Sequence, residues 1–203
     1  MDEARSIRDF WFGKLPLSPE ALNRRMRFWF GSEGSAERDA QIRARFGALL
    51  ARAAGGELAA WADGPRRRLS LIVLLDQFPR HIFRGTTRAF EHDAQALGLT
   101  LSGMQSAADA ALDVVERIFF YMPLQHAEVS DVQDESVAAY RRLLAEAPRE
   151  LRAVFEGALR SAENHRAIVE KFGRFPHRNR VLERPSSEAE VAWLRRGGES
   201  FGQ

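Results

Sequence analysis

From Leu151 to Phe172 the side chains Leu151, Phe155, Ala158, Ala162, His165, Val169 and Phe172 return every three or four residues. A helix with 3.6 residues per turn gathers such positions on one face, whereas a strand needs alternation with period two. The same spacing recurs along almost the whole chain. Ile42, Phe46, Leu49, Leu50 and Ala53 make one stripe, with Ser35 as the expected N-cap and Gly55-Gly56 as the stop. Residues 64–78 read as a more buried helix, with Pro65 near its first turn. Phe90, Ala94, Leu97 and Leu101 mark another over 86–101, and 111–122 a further one expected to stop at Pro123. Ser130-x-x-Gln133 and Ser187-x-x-Glu190 have capping-box spacing, opening helices that end before Pro148 and at Gly197-Gly198. No segment alternates long enough for a strand, and there is no Asn-Gly hairpin signal. The expected fold is all-α, with antiparallel helical hairpins packed as an array or bundle.

Glycine and proline fall at helix ends and form no linker, so residues 1–203 are expected to make a single domain. A chain of this length buries roughly 70% of its unfolded surface and needs no covalent staples. It has no cysteine, which excludes disulfides and thiolate chemistry and suits a reducing cytoplasm. The start, MDEARSIRDFWF, is charged at once and does not read as a signal peptide. The longest aliphatic run, Leu71 to Leu75, is far below the ~20 residues that span a bilayer. A soluble, cytoplasmic protein with no membrane partner is expected.

The formal net charge is only +2, and the only lysines are Lys14 and Lys171. The high isoelectric point, about 9.5, follows from an arginine-dominated positive charge that does not titrate near neutrality. Acidic residues are interspersed throughout, so no basic stripe marks a nucleic-acid surface.

Two segments a hundred residues apart repeat one another. LLDQFPRHIFRG (74–85) and KFGRFPHRN (171–179) each place Phe-Pro beside arginine and histidine after an apolar helical run. Proline disfavours α conformation at the residue before it, so Phe78 and Phe175 are expected to leave their helices and turn into the core. Arginine and histidine at a helix end satisfy its free carbonyls and dipole, and arginines tie loops to carboxylates such as Asp76, Asp93 or Glu128. Yet the cations exceed what one helix end requires. A cluster of guanidinium groups beside an imidazole suits a carboxylate or phosphate. If the two bends meet, they form one anion-binding pocket drawing on Asp76, Arg80, Arg84, His165, Arg174, His177, Arg178 and Asn179.

His126 and Glu128 follow Pro123 and pair a titratable group with a carboxylate, making them, with His177, candidates for moving a proton. No His-Glu-x-x-His or Glu-x-x-His pattern is present, so no metal is expected. Gly-x-Ser-x-Gly is missing, and the glycines at 55–56 and 197–198 lack the spacing of phosphate or dinucleotide loops, so no cofactor is expected. The near-repeat DFWFG (9–13) and RFWFG (27–31) is read as core packing by Trp11, Phe12, Trp29 and Phe30, with an aromatic ligand groove as the alternative.

The segments DFWFG, LLDQFPRHIFRGTTRAFEHDAQAL, FFYMPLQHAE and HRAIVEKFGRFPHRNRVLER followed by SSEAEVAWL resemble a bacterial family known as domain of unknown function 924. The likeness runs from Ile7 to Leu194. It implies a tetratricopeptide-like helical fold and no established activity. The chain departs from the family pattern at His81, where Asn is common, at Gln125-His126-Ala127-Glu128, where Met-His-Ser-Glu is usual, and at Glu183, where Gly is usual. Glu183 adds a carboxylate near the expected anion site.

Two functions compete on this reading. One is a pocket for a small anionic metabolite, with or without catalysis. The other is a helical module for a peptide or protein partner, in which the Arg/His motifs are structural.

Overall fold

The computed structural model describes residues 2–199 and 201. Every regular element among them is helical. The long helices are α1 (Glu3–Trp11), α2 (Pro19–Phe30), α3 (Ser35–Ala54), α4 (Pro65–Ile72), α5 (Phe78–Ile82), α6 (Asp93–Gln105), α7 (Val114–His126), α8 (Ser130–Glu146), α9 (Arg152–Phe172) and α10 (Glu188–Arg195). Short 3-10 turns join several of them, and a π-helical segment, Val73–Gln77, links α4 to α5.

Helices α7, α8 and α9 zigzag. Tyr140 on α8 donates to the Ile118 carbonyl of α7, while Gln133 reaches back to the carbonyls of Leu124, Gln125 and Ala127. Rising numbers on one helix thus meet falling numbers on the other. Arg141 pairs with Glu163 and Arg166 with Asp134, so α8 and α9 are antiparallel as well. The aromatic near-repeat packs as expected at Trp11, Phe12 and Trp29, which are buried around Phe78 and Phe119. Phe30 differs: it is 54% exposed.

One large apolar core holds α1 to α9, and a smaller cluster of Ile168, Val169 and Phe175 carries the end of α9 with Phe172, Trp193 and Phe201. The Ser187–Glu190 capping box forms, and an unforeseen one at Asp113–Glu116 opens α7. The other expected box does not form. Ser130 lies inside α8, whose N-cap is Val129, because the Gln133 amide is spent on the last carbonyls of α7. Ser35 likewise is the first residue of α3, after an N-cap at Gly34.

Two prolines expected to stop helices do not. Pro123 lies within α7, buried, where tertiary donors serve nearby carbonyls: Tyr140 at Ile118 and Thr100 at Phe120. Phe78 also stays helical, at φ −64° and ψ −36°. The π turn explains this: the Phe78 N–H bonds the Val73 carbonyl, five residues back, and the widened turn makes room for the Pro79 ring. Only the second bend behaves as the pre-proline rule requires. Gly173, at φ +70°, ends α9, and Phe175 is extended.

Candidate functional site

The π turn also aims a carboxylate. Asp76 sits inside it, fully buried. One oxygen lies 2.6 Å from His126 Nδ1 and 3.4 Å from Arg80, and the other accepts from the Gln77 amide at 2.5 Å. Burial pushes the Asp76 carboxyl upward, but the charges and hydrogen bonds of His126, Arg80 and Gln77 outweigh it and hold Asp76 at about 2. His126 goes down: burial, with the Arg80 charge, outweighs the help of Asp76. At neutral pH the pair is therefore a carboxylate and a neutral imidazole. Nδ1–H must donate to Asp76, since a carboxylate only accepts, and the basic lone pair is then on Nε2.

His165 repeats this arrangement on α9. Its Nδ1 donates to the Ser161 carbonyl at 2.8 Å, and burial brings the ring down to about 3. It too is neutral with its lone pair on Nε2. The two imidazoles stand 6.2 Å apart, and Phe201 stacks on His165 at 3.7 Å.

Both histidines open onto a cavity of about 500 Å³. Its polar wall carries Arg38, Arg80, Arg84, His81, Gln77 and Gln125, with Ser32, Ser35 and Ser161. Trp29, Phe30, Met122 and Phe201 supply its apolar surface. No carboxylate is among the described lining residues. The acids stand behind the wall. Asp39 holds His81 at 2.7 Å and Arg84 at 3.1 Å; Asp93 holds Arg80 through both oxygens, at 2.8 and 2.9 Å. Arg38 has the weakest ion pair, 4.0 Å from Asp39, and its Nε has no hydrogen-bond partner although the side chain is only 6% exposed. Its guanidinium donates to the Gly31 carbonyl. Burial lowers Arg38 from its ordinary value, yet it remains cationic.

The two bends do meet. Arg80 of the first and Arg178 of the second both reach Asp93, and both lie over the Phe90 ring, at 5.6 and 4.7 Å. The second bend nonetheless faces away from the cavity. Arg178 is sandwiched between Phe90 and Phe175 and donates to the His126 carbonyl, fixing the C-terminal end of α7, which presents His126. Burial pulls Arg178 down to about 10. Arg174 is clamped by Glu190, and Asn179 bonds Ser186 and Arg184. His177 packs against Phe175 and Phe201 outside the lining.

Of the residues expected at the site, Arg80, Arg84, His126 and His165 line the cavity, Asp76 backs it, and Arg174, His177, Arg178, Asn179 and Glu128 stand outside. Glu128 is not the partner of His126. It forms a bidentate pair with Arg184 and accepts the Phe175 N–H, and Asp76 takes the place beside the imidazole. Glu183 is exposed and does not line the cavity. Among the described residues no group of three or more acidic or histidine side chains is placed to hold a metal. Sequence reasoning missed Arg38, whose signal was a cation one turn before Ile42 on the apolar stripe of α3. It also missed Phe201, which carried none.

The fold and cavity define an all-helical protein with an arginine- and histidine-lined hollow, and no described helix is long and apolar enough to cross a membrane. The chain belongs to a family of bacterial proteins of unknown function, DUF924, whose model matches residues 7–198. It is similar to a solved structure, the protein of unknown function ATU0120 from Agrobacterium tumefaciens, with 34% identity and a TM-score of 0.80. That match covers 96% of this chain and 97% of the other. No curated protein matches the sequence.

Proposed function

We propose that the cavity binds a small organic anion and that His126, oriented by Asp76, takes up a proton from the bound molecule or from a water beside it. The observation that carries this reading is a concave wall with three guanidinium groups and three neutral imidazoles and no described carboxylate in its lining. The ion-pair network in and behind this wall, Arg38, Arg80, Arg84 and Arg178 with Asp39, Asp76 and Asp93, carries one formal positive charge. A neutral imidazole with its Nδ1–H pinned by a carboxylate is the arrangement a general base needs at neutral pH. Arg38 is the principal anchor, because its charge is the least neutralised. The alternative reading, a tetratricopeptide-like module for a protein partner, has less support: Phe30 and Val129, the large apolar residues exposed among those described, stand singly and make no broad patch.

A thermal-shift panel of carboxylated and phosphorylated metabolites tests the proposal. A ligand at a hundred times its Kd adds about 2.7 kcal/mol, which raises Tm by roughly 5–10 °C in a chain of this size. Arg38→Met should abolish the shift, and Arg174→Ala, outside the cavity, should leave it unchanged. A panel in which no hit depends on Arg38 overturns the reading.

A further inference from the structure

A second hollow, of about 230 Å³, adjoins the first and shares Phe30, Met122, Gln125 and Ser161 with it. Its remaining wall is Met26, Ile118, Val154, Gly157 and Ala158, without a charged side chain. The neck between the hollows is fixed by the Ser161 hydroxyl, which donates to Gln125 Oε1 at 3.0 Å. Phe30 stands at the same junction, unusually open to solvent for its size. Gly157 lies within α9, where glycine weakens a helix by roughly 0.5–1 kcal/mol relative to alanine. A Cβ there would meet nothing nearer than Arg160 Nη2 at 3.8 Å, so the glycine leaves open space beside the hollow and relieves no clash.

We propose that the two hollows form one site for an amphipathic monoanion: a carboxylate at Arg38 and Arg84, and an unbranched hydrocarbon chain running past Phe30 into the second hollow. This deepens, and rests on, the anion-binding reading above. The arguments for the occupant are continuity and charge. An apolar hollow that opens only onto solvent invites any greasy partner, but this one shares its neck with a cationic wall. A single surplus positive charge matches one carboxylate better than a dianionic phosphate. At about 30 Å³ for each water-sized group, the hollow takes a chain on the order of seven or eight methylenes.

Isothermal titration of the whole protein with n-alkyl carboxylates from acetate to dodecanoate, kept below micelle formation, tests this. Once the chain passes the neck, Kd should fall about fourfold per methylene, then level off roughly seven or eight carbons beyond the neck. Gly157→Leu, which fills the hollow without straining the backbone, should flatten the series and leave the shortest binders unchanged. Arg38→Met should weaken every member alike, and n-alkyl alcohols of equal length should bind far more weakly. Short acids that bind with no gain from chain length, or a slope that survives Gly157→Leu, would overturn the tail site and leave the anion pocket standing. Alcohols that match the acids would overturn the carboxylate head. Failure of every acid to bind would remove the carboxylate assignment, and this proposal with it.

Discussion

The two Phe-Pro bends share a string of residues and little else. In the first, the chain stays helical through Phe78-Pro79 because a π turn absorbs the proline, and its cations Arg80 and Arg84 reach a cavity wall. In the second, Gly173 ends α9, Phe175 becomes extended, and Arg174 and Arg178 are spent on protein partners. Both bends use arginine against carboxylate. In one the pairs leave guanidinium surface facing a hollow, and in the other they act as clamps. The same local sequence therefore yields a wall or a brace, depending on whether the turn before it is wide or broken.

The strongest way to break this comparison is to remove one arginine of each kind. Arg178 is 5% exposed, stacked between two rings, and bonded to the His126 carbonyl. Arg178→Ala leaves Asp93 short of a partner and opens a void, so it should cost about 3 kcal/mol, a fall in Tm of roughly 6–12 °C. Arg38→Met loses the hydrogen bond to Gly31 and keeps most of its packing, so about 1 kcal/mol is expected. Equal losses by urea denaturation would show that Arg38 braces the fold as Arg178 does.

A smaller effect separates the histidines by pH. Burial depresses His81, His126 and His165 in the folded protein, the last to about 3. The unfolded chain takes up protons near pH 6.5 while these rings stay neutral. Their contribution to stability is thus complete above pH 6.5 and is lost as pH falls below it, through each folded value. With its folded value at about 3, His165 alone should remove about 1.4 kcal/mol between pH 7.5 and 5.5, and His81 and His126 add to the loss in the same direction. His165→Phe, which preserves a ring against Phe201, should reduce the slope by one histidine's share. An unchanged slope in that variant would mean His165 takes up its proton as readily in the folded as in the unfolded chain, and the neutral wall of the cavity would have to be redrawn.

The helices were legible because their stripes are local: Ile42, Phe46 and Leu49 mark α3 whatever surrounds them. The convergence of the two bends could be posed from sequence, since an unusual string appeared twice, and Asp93 and Phe90 complete it in space. The course of the chain through Pro79 and Pro123 was not legible, because each depends on distant donors or on an inserted residue that no propensity records. Nor was the exchange of Glu128 for Asp76. Sequence adjacency favoured Glu128, two residues from His126, but the carboxylate that meets the imidazole comes from fifty residues earlier. Arg84 and Arg174 look equivalent on paper; Asp39 stands beside one and Glu190 beside the other, and only tertiary structure distinguishes an arginine on a wall from one in a clamp.

The finest test concerns the backbone on either side of the second bend. Gly173 at φ +70° has open space where a Cβ would go, so Gly173→Ala is penalised only by conformation, about 1 kcal/mol. Ten residues on, Glu183 adopts φ +54° at an exposed position. Left-handed backbone costs a side-chain-bearing residue about 1–2 kcal/mol, offset in part by the greater freedom that glycine gives the unfolded chain. Glu183→Gly should therefore stabilise by about 0.5 kcal/mol, opposite in sign to Gly173→Ala, and guanidinium titration of both variants resolves the difference. The sign matters for the comparison. If Gly173→Ala is neutral, α9 can run on toward Pro176 as the first bend runs through Pro79, and the break that makes one bend a brace does not depend on its glycine.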